Sequence, residues 1–164
     1  MKKYFPKKDR RANRSKAFTL IELLLVIGII ATLAVVVFVA LDPAKRFSDA
    51  RNARRQADVE TILSAVHQYI IDNKGGLPAG LSQDETMIGN SSTGCSNNYS
   101  GGCQANSDGC LDLSNSLSSY LKSIPYDSQT GSDGTTEYTI VADENGIVTV
   151  RACSAEGTEI FVSR

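Results

Sequence analysis

Phe18-Thr19-Leu20-Ile21-Glu22-Leu23-Leu24-Leu25-Val26-Ile27-Gly28-Ile29-Ile30-Ala31-Thr32-Leu33-Ala34-Val35-Val36-Val37-Phe38-Val39-Ala40-Leu41 is a run of 24 residues that carries one charge, Glu22. As a helix it is about 36 Å long, enough to cross a hydrocarbon layer of about 30 Å. Seventeen of the 24 are Leu, Ile, Val or Phe. At about −0.3 to −0.6 kcal/mol each they outweigh one acid costing about 3 kcal/mol, so the run can insert with Glu22 in it. Ahead of it, residues 1–17 hold eight Lys/Arg against one acid, Asp9, and end Ser15-Lys16-Ala17. Basic flanks stay cytoplasmic, which predicts an N-in, C-out topology.

Lys16-Ala17-Phe18-Thr19-Leu20-Ile21-Glu22-Leu23-Leu24-Leu25-Val26-Ile27-Gly28-Ile29-Ile30 resembles the class III signal and N-terminal helix of type IV pilins and pseudopilins. The resemblance implies that a prepilin peptidase cuts between Ala17 and Phe18, that the new amine of Phe18 is methylated, and that the apolar helix becomes a filament core. It implies as partners the peptidase, an inner-membrane assembly platform, the membrane before assembly, and further copies in a helical filament. The location implied is single-pass in the cytoplasmic membrane before assembly and the cell surface, as a pilus or fimbrium, afterwards. Ala17 stands where that family usually has Gly; as the next smallest residue, it is expected to permit slower cleavage. Glu22 gains a role as the partner of the positive Phe18 amine, which would be costly to bury alone in a packed bundle. The carboxylate of a neighbouring helix or the chain's own, four residues away, could serve.

Two simpler readings compete. A secretory signal peptide has an apolar stretch of only about 7–15 residues ending at a small-x-small site, for which Thr32-Leu33-Ala34 could serve, yet the run continues to Leu41. A plain signal anchor carrying an extracellular binding module fits the length. It leaves Glu22 without a purpose, since ionisable residues in lipid are costly and usually functional.

Beyond the run the chain is acidic: residues 18–164 carry nine Lys/Arg against seventeen Asp/Glu, which gives no general attraction to nucleic acid. Asp42-Pro43 should interrupt the helix, because Pro lacks a donor and restricts the residue before it. From 44 to 73 a second helical pattern follows, with Val59, Ile62, Leu63, Val66, Tyr69 and Ile70 on one stripe and Asn73-Lys74-Gly75-Gly76 as a stop. Arg46, Arg51, Arg54 and Arg55, interleaved with Asp49 and Asp58, read as a solvated face with ion pairs. His67 is the only histidine, which argues against a zinc site built on His.

Residues 77–164 are expected to form a disulfide-tied globular head. Its first part is rich in Ser, Asn and Gly, as a linker would be, but holds Cys95, Cys103 and Cys110; with Cys153 these make four cysteines on the exported side, where disulfides persist. Four cysteines allow three pairings, and spacing selects none. The working expectation joins Cys95 to Cys103 as a local loop and Cys110 to Cys153. Leu111 to Ile124 reads as a short helix ended by Pro125. Glu137–Ala142 and Ile147–Cys153, with β-branched residues alternating around Asp143-Glu144-Asn145-Gly146, read as a hairpin, and 158–162 as a third strand. Ile124-Pro125-Tyr126-Asp127 resembles the Pro-x-Asp segment before the sheet of family heads, with Ser128 where Pro often follows. Some secretion pseudopilins bind calcium near here. Asp127, Asp133, Asp143 and Asn145 offer oxygen ligands, but turn chemistry explains them equally and no EF-hand spacing is present. No other cofactor is expected, and no catalytic constellation is recognisable.

The expected fold is therefore α+β: a long N-terminal helix, half apolar and half amphipathic, packed on a small antiparallel sheet, as in pilins. The expected function is a structural prepilin subunit of a type IV pilus or similar filament, and not an enzyme. A pseudopilin of a type II secretion or DNA-uptake system is the alternative within the family.

Overall fold

The computed structural model of the protein describes residues 18–98 and 102–164. The basic leader, residues 1–17, lies outside them. The chain divides between Pro43 and Ala44 into two units.

The first unit is the helix α1, Leu20–Leu41. None of its residues is buried within the chain. Its apolar side chains therefore lack the partners that a soluble helix would have. The helix spans about 33 Å at 1.5 Å per residue. Thr32 Oγ1 donates to the Ile29 carbonyl at 2.9 Å, so even its interior hydroxyl is satisfied locally. It stops at Asp42, whose backbone is left-handed (φ 38°, ψ 74°), a conformation Asp tolerates better than most residues. Pro43 disfavours α geometry at the residue before it and is itself well suited to the first position of a new helix.

The new helix is α2, Pro43–Asp72. In the second unit, from Ala44 onward, Val59, Ile62, Leu63, Ala65 and Val66 of α2 are buried, with Tyr69 and Ile70 packed beside them. The helix ends in a Schellman motif. Gly75 N donates to the Ile70 carbonyl at 2.8 Å and Lys74 N to that of Ile71 at 3.2 Å, with Lys74 left-handed at φ 56°.

Against α2 lies a four-stranded antiparallel sheet in the order β1-β4-β5-β6, formed by β1 (Thr86–Met87), β4 (Tyr138–Ala142), β5 (Val148–Ala152) and β6 (Ile160–Ser163). Two short strands, β2 (Asn97–Asn98) and β3 (Gln104–Ala105), pair separately. Tyr138↔Ala152, Ile140↔Val150 and Ala142↔Val148 set the register, and all six residues join the core with α2. Period-two alternation thus turns the apolar side inward. In the β4–β5 turn only Gly146 has positive φ, at 79°. Asp143 Oδ1 holds the turn by accepting from the amides of Asn145 (2.9 Å) and Ile147 (2.7 Å).

The expected helix from Leu111 to Ile124 contracts to α3, Ser114–Leu117. Leu113 and Leu117 are buried as core residues, yet Ser114, Asn115, Ser116, Ser118 and Ser119 compete for backbone bonds and favour turns over a longer helix. Leu111 instead forms a parallel bridge with Ile88.

The expected disulfide pairing is overturned. Cys95 bonds Cys110, and Cys103 bonds Cys153. The reason is register. Asn97↔Ala105 pairing carries Cys95 past the end of β3 toward Cys110, and Cys95 N donates to the Asp108 carbonyl at 2.9 Å. Cys103, at the other end of β3, sits against β4, where Thr139 Oγ1 reaches its sulfur at 3.2 Å, and Cys153 closes β5 nearby. The Ser/Asn/Gly-rich stretch is thereby closed on itself by Cys95–Cys110 and tied to the end of β5 by Cys103–Cys153.

Candidate functional site: the start of α1

The candidate site is the junction at Ala17 and Phe18 together with the helix that follows. Ala17 lies outside the described residues. Phe18 precedes α1 and is 84% exposed. Thr19 is the N-cap, in extended geometry at φ −79° and ψ 152°. Its hydroxyl accepts from Glu22 N at 3.2 Å, while Glu22 Oε2 accepts from Thr19 N at 2.9 Å and from Thr19 Oγ1 at 2.8 Å. This is a capping box, which satisfies amides that an unpaired helix start would leave bare. Glu22 thus has a structural use in addition to the charge role that sequence reasoning assigned. The signal was readable: Thr19-Leu20-Ile21-Glu22 follows the Thr-x-x-Glu pattern before an apolar run.

Capping also fixes the carboxylate. Glu22 is held at the N-terminal end of α1 against Thr19, the residue that follows Phe18. A carboxylate at a helix N-terminus is favoured by the helix dipole as well.

In the second unit, the basic cluster departs from the expected solvated face. Arg55 is only 2% exposed. Its Nε donates to Asp127 Oδ2, and its Nη1 donates to Glu156 Oε1 and Asn52 Oδ1, both at 3.0 Å. Arg51 makes a two-point pair with Glu156 through Nε and Nη2. Arg55 sits four residues before Val59, on the buried stripe of α2, so it points inward wherever its neighbours do. Arg46 and Arg54 remain exposed, the latter 4.0 Å from Asp58.

Asp127, raised above as a cation ligand, is committed to this cluster. Its second oxygen accepts from the Gln129 and Thr130 amides and the Thr130 hydroxyl. Burial pushes its carboxyl up, but the hydrogen bonds from Arg55 and the two amides outweigh that and hold it below the usual range. The bonds from Arg51, then those from Arg55, draw Glu156 down to about 2. Asp143 and Asn145 are occupied in the β4–β5 turn, and Asp133 contributes its carbonyl to Asn90 N. Among the described residues, no three His, Cys, Asp or Glu side chains converge as a metal site would require. His67 Nε2 lies 3.0 Å from the Arg164 carbonyl.

Among comparisons with known proteins, the family model described as the prokaryotic N-terminal methylation motif matches residues 12–38. The chain carries that motif, which is the class III signal of type IV pilins, and the match spans Ala17, Phe18, Glu22 and most of α1. No curated protein and no solved structure matches the chain.

Proposed function

We propose that the protein is a prepilin: a structural, non-catalytic subunit of a type IV pilus or pilus-like filament. The observation that carries the reading is α1 itself, a 22-residue apolar helix with no residue buried in its own chain, starting two residues past the motif's processing junction. Such a helix needs lipid or other helices around it. In this reading the membrane holds it first, with the leader inside and the head outside. After cleavage between Ala17 and Phe18 and methylation of Phe18, like helices of neighbouring copies replace the lipid. Copies added head to tail extend without closing, as heterologous contacts do. Glu22 neutralises the Phe18 amine within that bundle, and no cofactor takes part.

Mass spectrometry of the N-terminal peptide from producing cells should find a chain starting at Phe18 with one added methyl group. A start at Met1 would leave a membrane-anchored binding module, and a start at Val35 an ordinary export signal; either would refute the proposal. Sheared surface filaments containing the protein separate a pilus subunit from a pseudopilin, which would stay with the cells.

A further inference from the structure

The first turns of α2 expose residues that neither the head nor the proposed filament role explains. Phe47 is 66% exposed, and Arg46 beside it is exposed as well. Arg54 leaves 67% of its side chain exposed, and the Asp58 carboxylate below it also accepts from the Tyr138 hydroxyl at 2.8 Å. At 3.6 residues per turn, Phe47, Ala50 and Arg54 fall on one line with Arg46 at its flank, whereas Asp49 points about 160° away from Phe47. Arg51 and Arg55, on the other side, are consumed by Glu156 and Asp127. The result is a small patch of two cations around an aromatic ring.

Its place along the chain sharpens the question. Positive residues flanking a membrane span are disfavoured on the exported side, so exposed arginines just after α1 run against that bias. Only five residues separate Leu41 from Arg46, so the arginine lies at most about 18 Å from the end of α1 along the chain. Residues 43–46 are helical, which shortens the reach to about 12 Å, within a headgroup layer of about 5–7 Å plus a Debye length of about 8–10 Å. The head cannot provide this attraction, because residues 78–164 carry three Lys/Arg against eleven Asp/Glu and would be repelled by an anionic surface.

We infer that Arg46, Phe47 and Arg54 form a membrane-surface contact, docking the start of α2 on anionic phospholipid headgroups while the subunit awaits assembly. The arginines pair with lipid phosphates and Phe47 lies at the interface, where aromatic side chains are favoured. This rests on the reading of α1 as membrane-embedded. Docking would hold the acidic head near the bilayer until incorporation into a filament lifts it away.

The chain contains no tryptophan, so Phe47→Trp introduces a single reporter. The full chain carrying it, reconstituted in phosphatidylcholine vesicles with and without phosphatidylglycerol, should be quenched by lipids brominated near the headgroup only when phosphatidylglycerol is present. Adding Arg46→Ser and Arg54→Ser should lower the ratio of docked to undocked chains about thirtyfold, the weight of two surface cations. About 0.5 M salt should reverse quenching in the parent. Equal quenching in both vesicle types overturns the inference. So does shielding that follows protein density and ignores lipid charge, which would identify a second copy's acidic head as the occupant. A parallel Val36→Trp chain separates the two readings. If bromines at the bilayer centre quench it and Phe47→Trp fails, the docking inference alone falls; if they do not, the membrane reading of α1 falls and the inference with it.

Discussion

Replacing Asp127 by Asn removes one negative charge from beside Arg55 while keeping an acceptor for the Gln129 and Thr130 amides. Arg55 and Asp127 are 2% and 1% exposed, so water cannot take over the lost partner. Breaking a buried ion pair by removing one member costs about 3–5 kcal/mol, because the remaining charge is stranded. Here Arg55 keeps its 3.0 Å bond to Glu156, which places the cost near the lower bound, about 3 kcal/mol. That is a large share of the roughly 5–15 kcal/mol that holds a domain of this size together. With a urea slope of about 1.5 kcal/mol per molar, the unfolding midpoint should fall by about 2 M. The assay is a urea titration of the detergent-solubilised full chain, followed by near-ultraviolet circular dichroism of its tyrosines, among them buried Tyr138. The companion Arg55→Met/Asp127→Asn chain should recover most of the loss, since exchanging a buried pair for uncharged residues is often close to neutral. A midpoint drop below about 0.5 M for Asp127→Asn, or a double variant no better than the single, would show that the pair does not carry this energy.

Glu22→Gln keeps the capping box, which Gln also forms, but removes the charge; it should insert and be cleaved normally yet yield few sheared filaments, and normal filament yield would refute the charge role, whereas Glu22→Ala should lose filaments and helix capping together. Non-reducing peptide mapping should recover Cys95–Cys110 and Cys103–Cys153 pairs, and any Cys95–Cys103 peptide as the main species would contradict the structure. In the chain-entropy account, loops with separations of 15 and 50 residues stabilise by about 3 and 4 kcal/mol, so Cys103→Ser/Cys153→Ser should cost more than Cys95→Ser/Cys110→Ser in the same urea titration. Glu156 and Asp127 are both depressed in the folded state, so their stabilisation is complete above the ordinary carboxylate range of about 4 and is lost as pH falls toward 2. Stability should therefore be flat in their contribution from pH 7 to about 5 and decline below it, and a decline confined to alkaline pH would contradict that sign.

The two long helices and the β4–β5 hairpin were legible because each rests on a period. An unbroken apolar run, a 3.6-residue stripe from Val59 to Ile70 and alternation about Asn145-Gly146 each favour one backbone over its rivals. The break was legible too, since Asp42-Pro43 is a local steric matter. What escaped depends on partners distant in sequence. Arg55 has the polarity of a surface residue, and only Asp127, 72 positions away, makes its burial affordable. Extending the stripe one turn back from Val59 would have reached it. The strands β1, β2 and β3 are two residues each, too short for any alternation to register. Yet the register of β2 on β3 is what decides which cysteines meet. At the candidate site, the processing motif was readable in full, and its match to residues 12–38 bears out the resemblance. The capping use of Glu22 was present as a pattern but hidden behind the question of its charge.

The two disulfides interleave, with Cys103 of one lying inside the loop closed by the other. For a chain under tension the bridges limit how far the segment between Cys95 and Cys153 can extend. Stretched without bridges, the roughly 60 residues from Cys95 to Cys153 would pay out about 200 Å. With the bridges in place, the pull runs along the chain from Cys95 to Cys103 and crosses to Cys153, a contour of only about 32 Å. The loop of sequence separation 50 between Cys103 and Cys153, which holds β4 and β5, is thereby withheld from mechanical extension, so a subunit placed in line with a load could shed β1 and β6 but not the central pair of its sheet.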